Sequence, residues 1–236
     1  MVSVVTPVLD ERDNLAPLIE EIAATLGGLD YEVVAVDDGS TDGSWDELLR
    51  LRNEHEALRV VALDRHAGQS AALLAGFEQA RGEIVVTLDA DGQNDPAEVP
   101  MLVGLLRQNP DWTAVAGYRT SRADSRWKHL QSRIANAVRN WLTGDSVRDT
   151  GCSLKAMRSD ILRELPRFAG MHRFLPTLIR MQGGVVVEVP VTHRQRISGR
   201  SKYGMWNRVF GALRDAFGVR WLSRRRLAFK VRRGTE

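Results

Sequence analysis

Cysteine is almost missing from this chain: Cys152 is the single one among 236 residues. That excludes an internal disulfide framework and leads us to expect a reducing compartment. Long apolar runs are missing too, and none approaches the roughly 20 residues that a membrane-spanning helix needs. Positions 2–5 are apolar but lack the basic flank and cleavage site of a secretory signal. Charge of one sign is in short supply: 33 Lys and Arg against 30 Asp and Glu leave a formal net charge of +3. So mild an excess gives no reason to expect a nucleic-acid partner. Internal repeats and low-complexity linkers are absent as well. What remains, at 43% hydrophobic content, suits one large α/β domain, alone or with a small appendage.

The pattern along the chain supports that class. Segments 2–6, 32–36, 60–63, 83–88 and 113–116 are short, β-branched and apolar nearly throughout, as strands covered on both faces should be. Between them, 14–26, 44–52, 69–80 and 96–108 read as helices; Gly27 and Gly28 end the first, and Pro96 opens the last. This rhythm predicts a mostly parallel central sheet flanked by helices, with ligands beyond the carboxyl ends of the strands. After about residue 120 the rhythm changes. A helix is expected over 127–142, carrying Arg133 and Arg139, then a polar turn over 144–151 and a strand over 153–157. Helices follow around Ile161 and over 174–181, and a last strand over 185–189 is ended by Pro190. We read the change near 120 as a change of role inside one fold.

Three predicted strand ends carry polar residues that a core would not choose. The first gives Pro7, Leu9, Asp10 and Glu11, the second Asp37-Asp38-Gly39-Ser40, and the fourth Asp89-Ala90-Asp91-Gly92-Gln93. Several carboxylates at one edge are unfavourable unless something cationic meets them. A divalent metal with a diphosphate is one such partner, and oxygen ligands suit Mg2+ or Mn2+. Each segment alone has a plainer reading. Asp37 to Ser40 is also what a turn and helix cap look like. Glu11 also suits the first turn of a helix, and an isolated Asp-X-Asp is a weak signal.

Together, and in this order, these segments resemble family 2 glycosyltransferases with the GT-A fold, in particular the polyprenyl-phosphate and dolichyl-phosphate mannosyl- or glucosyltransferases. Ala116-Gly117-Tyr118-Arg119, the segment from Asp149 to Lys155, and the segment from Arg196 to Gly204 extend the resemblance over about residues 2–215. It implies a metal-dependent, inverting transfer of a hexose from GDP-mannose or a UDP-sugar to a polyprenyl phosphate. By the same resemblance, Pro7, Leu9, Glu11, Asp37 and Asp38 hold the nucleoside, with Ala90 beside them. Leu9 stands where many relatives have tyrosine. Asp89, Asp91 and Gln93 surround the Mg2+ or Mn2+. Arg119 and Arg133 meet phosphate, and Arg196 and Lys202 clamp the diphosphate from a loop containing Gly199 and Gly204. Asp91, Asp149, Arg119 and Arg133 form the expected catalytic set, with Asp149 as base or acceptor-orienting group.

Plainer alternatives stand beside these roles: Asp149 as a turn residue, Arg133 as an exposed helix arginine, Arg196 and Lys202 as an ordinary basic loop. His66 and His172 lack helical partner spacing and are read as surface or core histidines. Cys152 is read as a small packed residue. Two other functions are held against the first. One is a family 2 transferase with a saccharide or soluble acceptor, which would need a base more than added cations. The other is a non-catalytic nucleotide-sugar binding protein, which the intact Asp89 and Asp91 disfavour.

Residues 1–204 are read as the catalytic domain and 205–236 as an amphipathic helix with a basic tail. Trp206, Val209, Phe210, Leu213 and Phe217 make an i, i+3, i+4 stripe. Arg220, Arg224, Arg225, Arg226, Lys230, Arg232 and Arg233 follow it. A helix packed on its own domain with a solvated tail is one reading. The other is peripheral contact with an anionic membrane at its cytoplasmic face. Many relatives continue into membrane spans here, so this chain resembles the short members, anchored by the helix, the tail or a separate membrane partner.

Overall fold

A computed structural model describes residues 1–119, 139–194 and 205–225, with side chains from 214 onward in the last stretch. The first half alternates as expected: β1 (Val2–Val8), α1 (Arg12–Leu26), β2 (Tyr31–Asp37), α2 (Ser44–Glu54), β3 (Leu58–Ala62), α3 (Gln69–Gln79) and β4 (Ile84–Thr87). A 3-10 turn, Pro96–Glu98, leads into α4 (Val99–Gln108) and β5 (Ala114–Arg119). The second half holds a helical stretch at 139–143, then β6 (Lys155–Arg158) and α5 (Ser159–Glu164). A 3-10 turn at Met171–Phe174, α6 (Leu175–Met181), β7 (Val186–Val191) and α7 (Met205–Arg225) complete it.

The strands form one seven-stranded sheet in the order β3-β2-β1-β4-β6-β5-β7. All neighbours pair in parallel except β6, which runs against both β4 and β5. The strands are apolar on both faces because both faces are covered. Val4 and Val8 of β1 join the cluster with Leu15, Ile19, Leu102 and Leu106 of α1 and α4. Val5, between them, joins the other cluster with Leu73, Phe174, Leu178, Ala216 and Val219. A Cβ on Gly76 would sit 2.3 Å from Val5 Cγ1, so only glycine lets α3 lie this close to β1.

Strand β7 continues through Pro190 to Val191 instead of stopping before it. It is the edge of the sheet, paired on one side with β5. A residue without an N–H is tolerated where the outer side of the strand needs no partner. Helix α7 has described side chains from residue 214 onward. Ala216 and Val219 are buried, while Phe217 is 59% and Trp221 60% exposed. The inward face therefore includes 216 and 219, and Phe217 of the expected stripe points outward. No described helix is long and apolar enough to cross a membrane.

Candidate active site

Strand order puts the ligand crevice at β1 and β4. The chain steps outward from β1 through β2 to β3 and then returns to add β4 on the other side of β1. Such a switch point leaves a crevice at the carboxyl ends of the two strands. There a cleft of about 1000 Å³ opens, lined by Pro7, Leu9, Glu11, Asp38, Asp89, Ala90, Asp91, Gln93 and Arg119 among others. Because β6 is antiparallel, its amino end reaches the same edge and brings Ser153 and Lys155 to the cleft.

The part of the cleft beyond β1 and β2 is built by two loops that tie each other down. Asp10 adopts the left-handed region, φ 48°, unusual without glycine. Its Oδ1 accepts from Thr41 N at 2.6 Å, and its own N–H donates to Ser40 Oγ at 2.9 Å. Glu11 N donates to Ser44 Oγ at 3.0 Å, and Arg12 N to Asp42 Oδ2 at 3.1 Å. Burial opposes ionisation of Asp42, but hydrogen bonds from the Ser44 side chain and from the Arg12 and Ser44 amides outweigh it and hold its pKa low. Asp38 is buried and accepts from Ala67 N at 2.7 Å and Gly68 N at 2.9 Å, with His66 Nδ1 2.9 Å from Oδ2. Gly39, at φ 77°, leaves a Cβ position only 2.7 Å from His66 N, so the two loops touch backbone to backbone. Asp37 accepts from Ser40 N at 3.3 Å and stands behind the cleft wall.

Asp89 and Asp91 lie on the cleft after β4. Burial, and next the neighbouring Asp91 carboxylate, push Asp89 up to about 6, while Ser153, Lys155 and Gln69 pull the other way. Gln69 Nε2 donates to Asp89 Oδ1 at 2.8 Å, and Gln93 N to Asp91 Oδ1 at 3.1 Å. Two neighbouring carboxylates, with Gln93 also lining the cleft, form a donor set that a hard divalent cation fits. Among the described residues no three of His, Cys, Asp and Glu converge on one point. A Mg2+ or Mn2+ ion held here would complete its shell with water and substrate phosphate.

The same cleft also carries cations. Arg119 ends β5, and its guanidinium meets Asp149 with Nε to Oδ2 at 2.6 Å and Nη2 to Oδ1 at 2.9 Å. Gly151 N also donates to Asp149 Oδ1 at 3.0 Å. Arg119 reaches the cleft; Asp149 is buried behind it. Lys155 is buried, and its Nζ donates to the Cys152 carbonyl. Burial lowers its pKa, with Asp89 and Asp149 among the groups that offset this. Cys152 is packed as expected, and burial pushes its thiol up, away from thiolate character.

Arg133, Arg196, Lys202, Gly199 and Gly204 lie outside the described residues. Several cleft residues carried no role in the sequence reading: Gln69, Ser70, Ser153, Lys155, His172, Arg173, Arg214 and Asp215. Lys155 had one usable signal, a lone cation in the apolar stretch from Leu154 to Met157. The others are joined only by folding: Ser70 and His172 are hydrogen-bonded across 102 positions.

The likeness to known proteins agrees with this geometry. The chain is 40% identical over 208 residues to an undecaprenyl-phosphate 4-deoxy-4-formamido-L-arabinose transferase of Edwardsiella ictaluri, covering 86% of this chain and 63% of the relative. It is 35% identical over 238 residues to a dodecaprenyl-phosphate galacturonate synthase of Rhizobium johnstonii, covering 98% of this chain and 69% of the relative. The chain thus spans a little under two thirds of the length of the first of these. Among solved structures it superposes on glucosyl-3-phosphoglycerate synthase of Mycobacterium tuberculosis, in complex with phosphoglyceric acid, with a TM-score of 0.72. Identity there is 25%, over 93% of this chain and 80% of that one. Residues 3–166 match the family model of glycosyl transferase family 2. The cleft at this sheet switch point, lined by paired aspartates and an arginine, is therefore found in a chain that belongs to glycosyl transferase family 2.

Proposed function

We propose that the chain is a metal-dependent, inverting glycosyltransferase that moves a hexose from GDP-mannose or a UDP-sugar to a polyprenyl phosphate. The observation that carries this reading is that a single cleft is lined both by the paired carboxylates Asp89 and Asp91 and by the cations Arg119 and Lys155. A phosphate acceptor is already ionised near neutral pH and needs cations to bind it. A hydroxyl acceptor needs a base. Asp149, the candidate base, is engaged by Arg119 through both oxygens. We therefore read it as a positioning residue that aims Arg119 at the acceptor phosphate.

Each group then has a task. Pro7, Leu9, Glu11 and Asp38 seat the nucleoside, with Asp37 bracing the loop that carries Asp38. Asp89, Asp91 and Gln93 would hold Mg2+ or Mn2+, which would offset the negative charge that grows on the departing diphosphate. Arg196 and Lys202 add to this charge balance, and Arg133 joins Arg119 at the acceptor. An acceptor phosphate oxygen attacks the anomeric carbon from the face opposite the nucleotide. The bond to the β-phosphate oxygen breaks, its electron pair leaves with the nucleoside diphosphate, and the configuration inverts.

The relatives named for undecaprenyl- and dodecaprenyl-phosphate sugar transfer support a lipid acceptor. So does the surface: Trp141, Phe217 and Trp221 are exposed, and Arg220 lies over the Trp141 ring at 5.7 Å. Aromatics among arginines suit the headgroup layer, so the chain meets the cytoplasmic face of the membrane peripherally, directly or through a membrane partner. A soluble phosphate acceptor is the second reading, favoured by the neighbour solved with phosphoglyceric acid. Purified protein incubated with labelled UDP- and GDP-sugars tests both. Label moving into undecaprenyl or dolichyl phosphate is the expected result. Transfer to 3-phosphoglycerate alone supports the second reading, and transfer to neither acceptor overturns both.

A further inference from the structure

His172 is a half-buried histidine on the cleft wall that the reaction outlined above leaves without a task. It stands in the 3-10 turn Met171–Phe174, and its Nδ1 is 2.8 Å from Ser70 Oγ. Ser70 Oγ also accepts from Gly170 N at 3.0 Å. A serine hydroxyl has one hydrogen to give. The Gly170 amide fills one of the two acceptor sites on Oγ, and Nδ1 is the one acceptor described within reach of the hydroxyl hydrogen. Nδ1 is then the acceptor, and the ring proton sits on Nε2, the nitrogen left to a ligand. Burial pushes the ring's pKa down to about 3, with the charges of Arg173 and Lys155 acting in the same direction, so the ring is neutral at working pH.

Position and charge together say what such a donor meets. Ser70 is chain neighbour to Gln69, whose amide holds Asp89 at 2.8 Å. The first turn of α3 thus fastens an Asp89 oxygen with one residue and the His172 ring with the next. Lys155 acts electrostatically on both Asp89 and His172, which puts all three in one part of the cleft. A ligand group beside His172 therefore lies close to the place where the diphosphate end of the donor meets the aspartates. A neutral N–H can donate to a phosphate or to a hydroxyl oxygen; with Arg119 and Lys155 in the cleft to meet phosphate, a hydroxyl is the oxygen left for His172. The group next to the diphosphate in a nucleotide sugar is the sugar.

We propose that His172 is a specificity-determining residue that donates a hydrogen bond from Nε2 to a hydroxyl oxygen of the transferred sugar. This deepens the reading of the cleft as a nucleotide-sugar site and rests on it. Ser70 and Gly170 then act through His172: they fix its tautomer and hold its ring. A site built around a donor in a fixed direction distinguishes sugars by whether an oxygen stands opposite it.

The test separates the two levels. Binding of UDP and GDP, then of UDP-glucose, UDP-galactose and GDP-mannose, is measured calorimetrically with Mg2+ for the wild type and His172→Phe. Histidine-selective 15N NMR is recorded on the wild type. We expect the spectrum to show neutral His172 protonated at Nε2, with that signal moving on addition of the best-bound nucleotide sugar but not of its nucleotide alone. His172→Phe should bind the nucleotide like wild type while losing about threefold to tenfold in affinity for that sugar donor, the scale of one neutral hydrogen bond. An Nδ1–H tautomer, an Nε2 signal that ignores every sugar, or an unchanged affinity ratio in a folded His172→Phe overturns the role of His172. Wild-type protein that binds neither nucleotide overturns the donor-site reading beneath it.

Discussion

Arg119 and Asp149 form a two-pronged ion pair, Nε to Oδ2 and Nη2 to Oδ1, with the arginine on the cleft and the aspartate behind it. The planar fork of a guanidinium matches a carboxylate in this way and an ammonium does not. If Asp149 serves only to aim Arg119, then Arg119→Lys and Asp149→Asn should raise the KM for polyprenyl phosphate and leave the donor KM near wild type. The double variant should be little worse than the worse single one, because the two act as a unit. Losses that multiply in the double variant would give Asp149 a task of its own.

Asp91 tests the acidic part of the cleft. Asp91→Asn keeps size and removes charge, and turnover should fall at least about a hundredfold, the scale of losing a group that meets developing charge. Excess chelator should abolish turnover of the wild type, and Mg2+ or Mn2+ should restore it. A folded Asp91→Asn protein with a near-normal rate would remove this residue from the site.

The pH dependence of metal stabilisation follows from Asp89. Its carboxyl sits at about 6 in the folded chain against an ordinary 3.8. In that window the folded chain holds a proton that the unfolded chain has released. Ionising Asp89 therefore destabilises the metal-free fold as pH rises from 3.8 through 6. A divalent cation prefers the ionised form. The rise in melting temperature caused by Mg2+ or Mn2+ should be small at pH 5 and larger at pH 7.5, measured by thermal shift. Equal rises at both pH values would place the cation elsewhere.

How far the sequence revealed this molecule depends on whether a feature is local. The strands were legible because both faces of the sheet are covered, leaving long apolar runs such as Val33–Val36 with sharp polar ends. The end of β7 was not: Pro190 looks like a terminator until the strand is seen to lie at an edge. Asp89 and Asp91 were legible because two residues of one loop make the pattern. Asp37 reads as a nucleoside residue and Asp149 as a base or acceptor-orienting group, and nothing in the sequence shows that their carboxylates also bond to Ser40 and to Arg119. A run of residues shows chemical type but not which way a carboxylate is turned. His172 was passed over because its partner, Ser70, comes from a distant helix.

Glu32 predicts a stability loss far from the cleft. It is buried near the start of β2, accepts from Ser3 Oγ and Arg81 N at 2.7 Å each, and pairs with Arg59 at 2.9 Å. Burial opposes its ionisation, but these partners outweigh it and keep its pKa below the ordinary 4.5. Its contribution is present above pH 4.5 and fades as pH falls through the lowered value. Glu32→Ala leaves buried donors without an acceptor and should cost roughly 2–3 kcal/mol at neutral pH. Denaturant melts at pH 7 should show that cost. The gap between variant and wild type should narrow toward pH 3.

The membrane contact is best tested by substitution, since α7 also buries Ala216 and Val219 in the core. Full-length protein should float with anionic vesicles and less so in high salt, at up to roughly 1 kcal/mol per basic residue near the surface. Replacing Trp141, Phe217 and Trp221 together by serine should weaken flotation without lowering the melting temperature. If the wild type ignores anionic vesicles, a separate membrane partner carries the anchoring.

One reversed strand has a wider consequence. Strand β5 runs toward the cleft and ends at Arg119; β6 runs away from it and begins at Lys155. The connection between them leaves and re-enters the sheet at the same rim and never has to cross to the far side. A parallel crossover is tied to the width of the sheet, whereas this one is not. Its described part, from residue 139 onward, is packed into the fold: Leu142 and Val147 are buried, and Asp145 pairs with Arg180. Arg133 and Asp149 both lie within the connection. The half of the cleft that would receive the acceptor is thus carried by a segment whose length the width of the sheet does not set, while the aspartates stay anchored to β4, between two neighbouring strands.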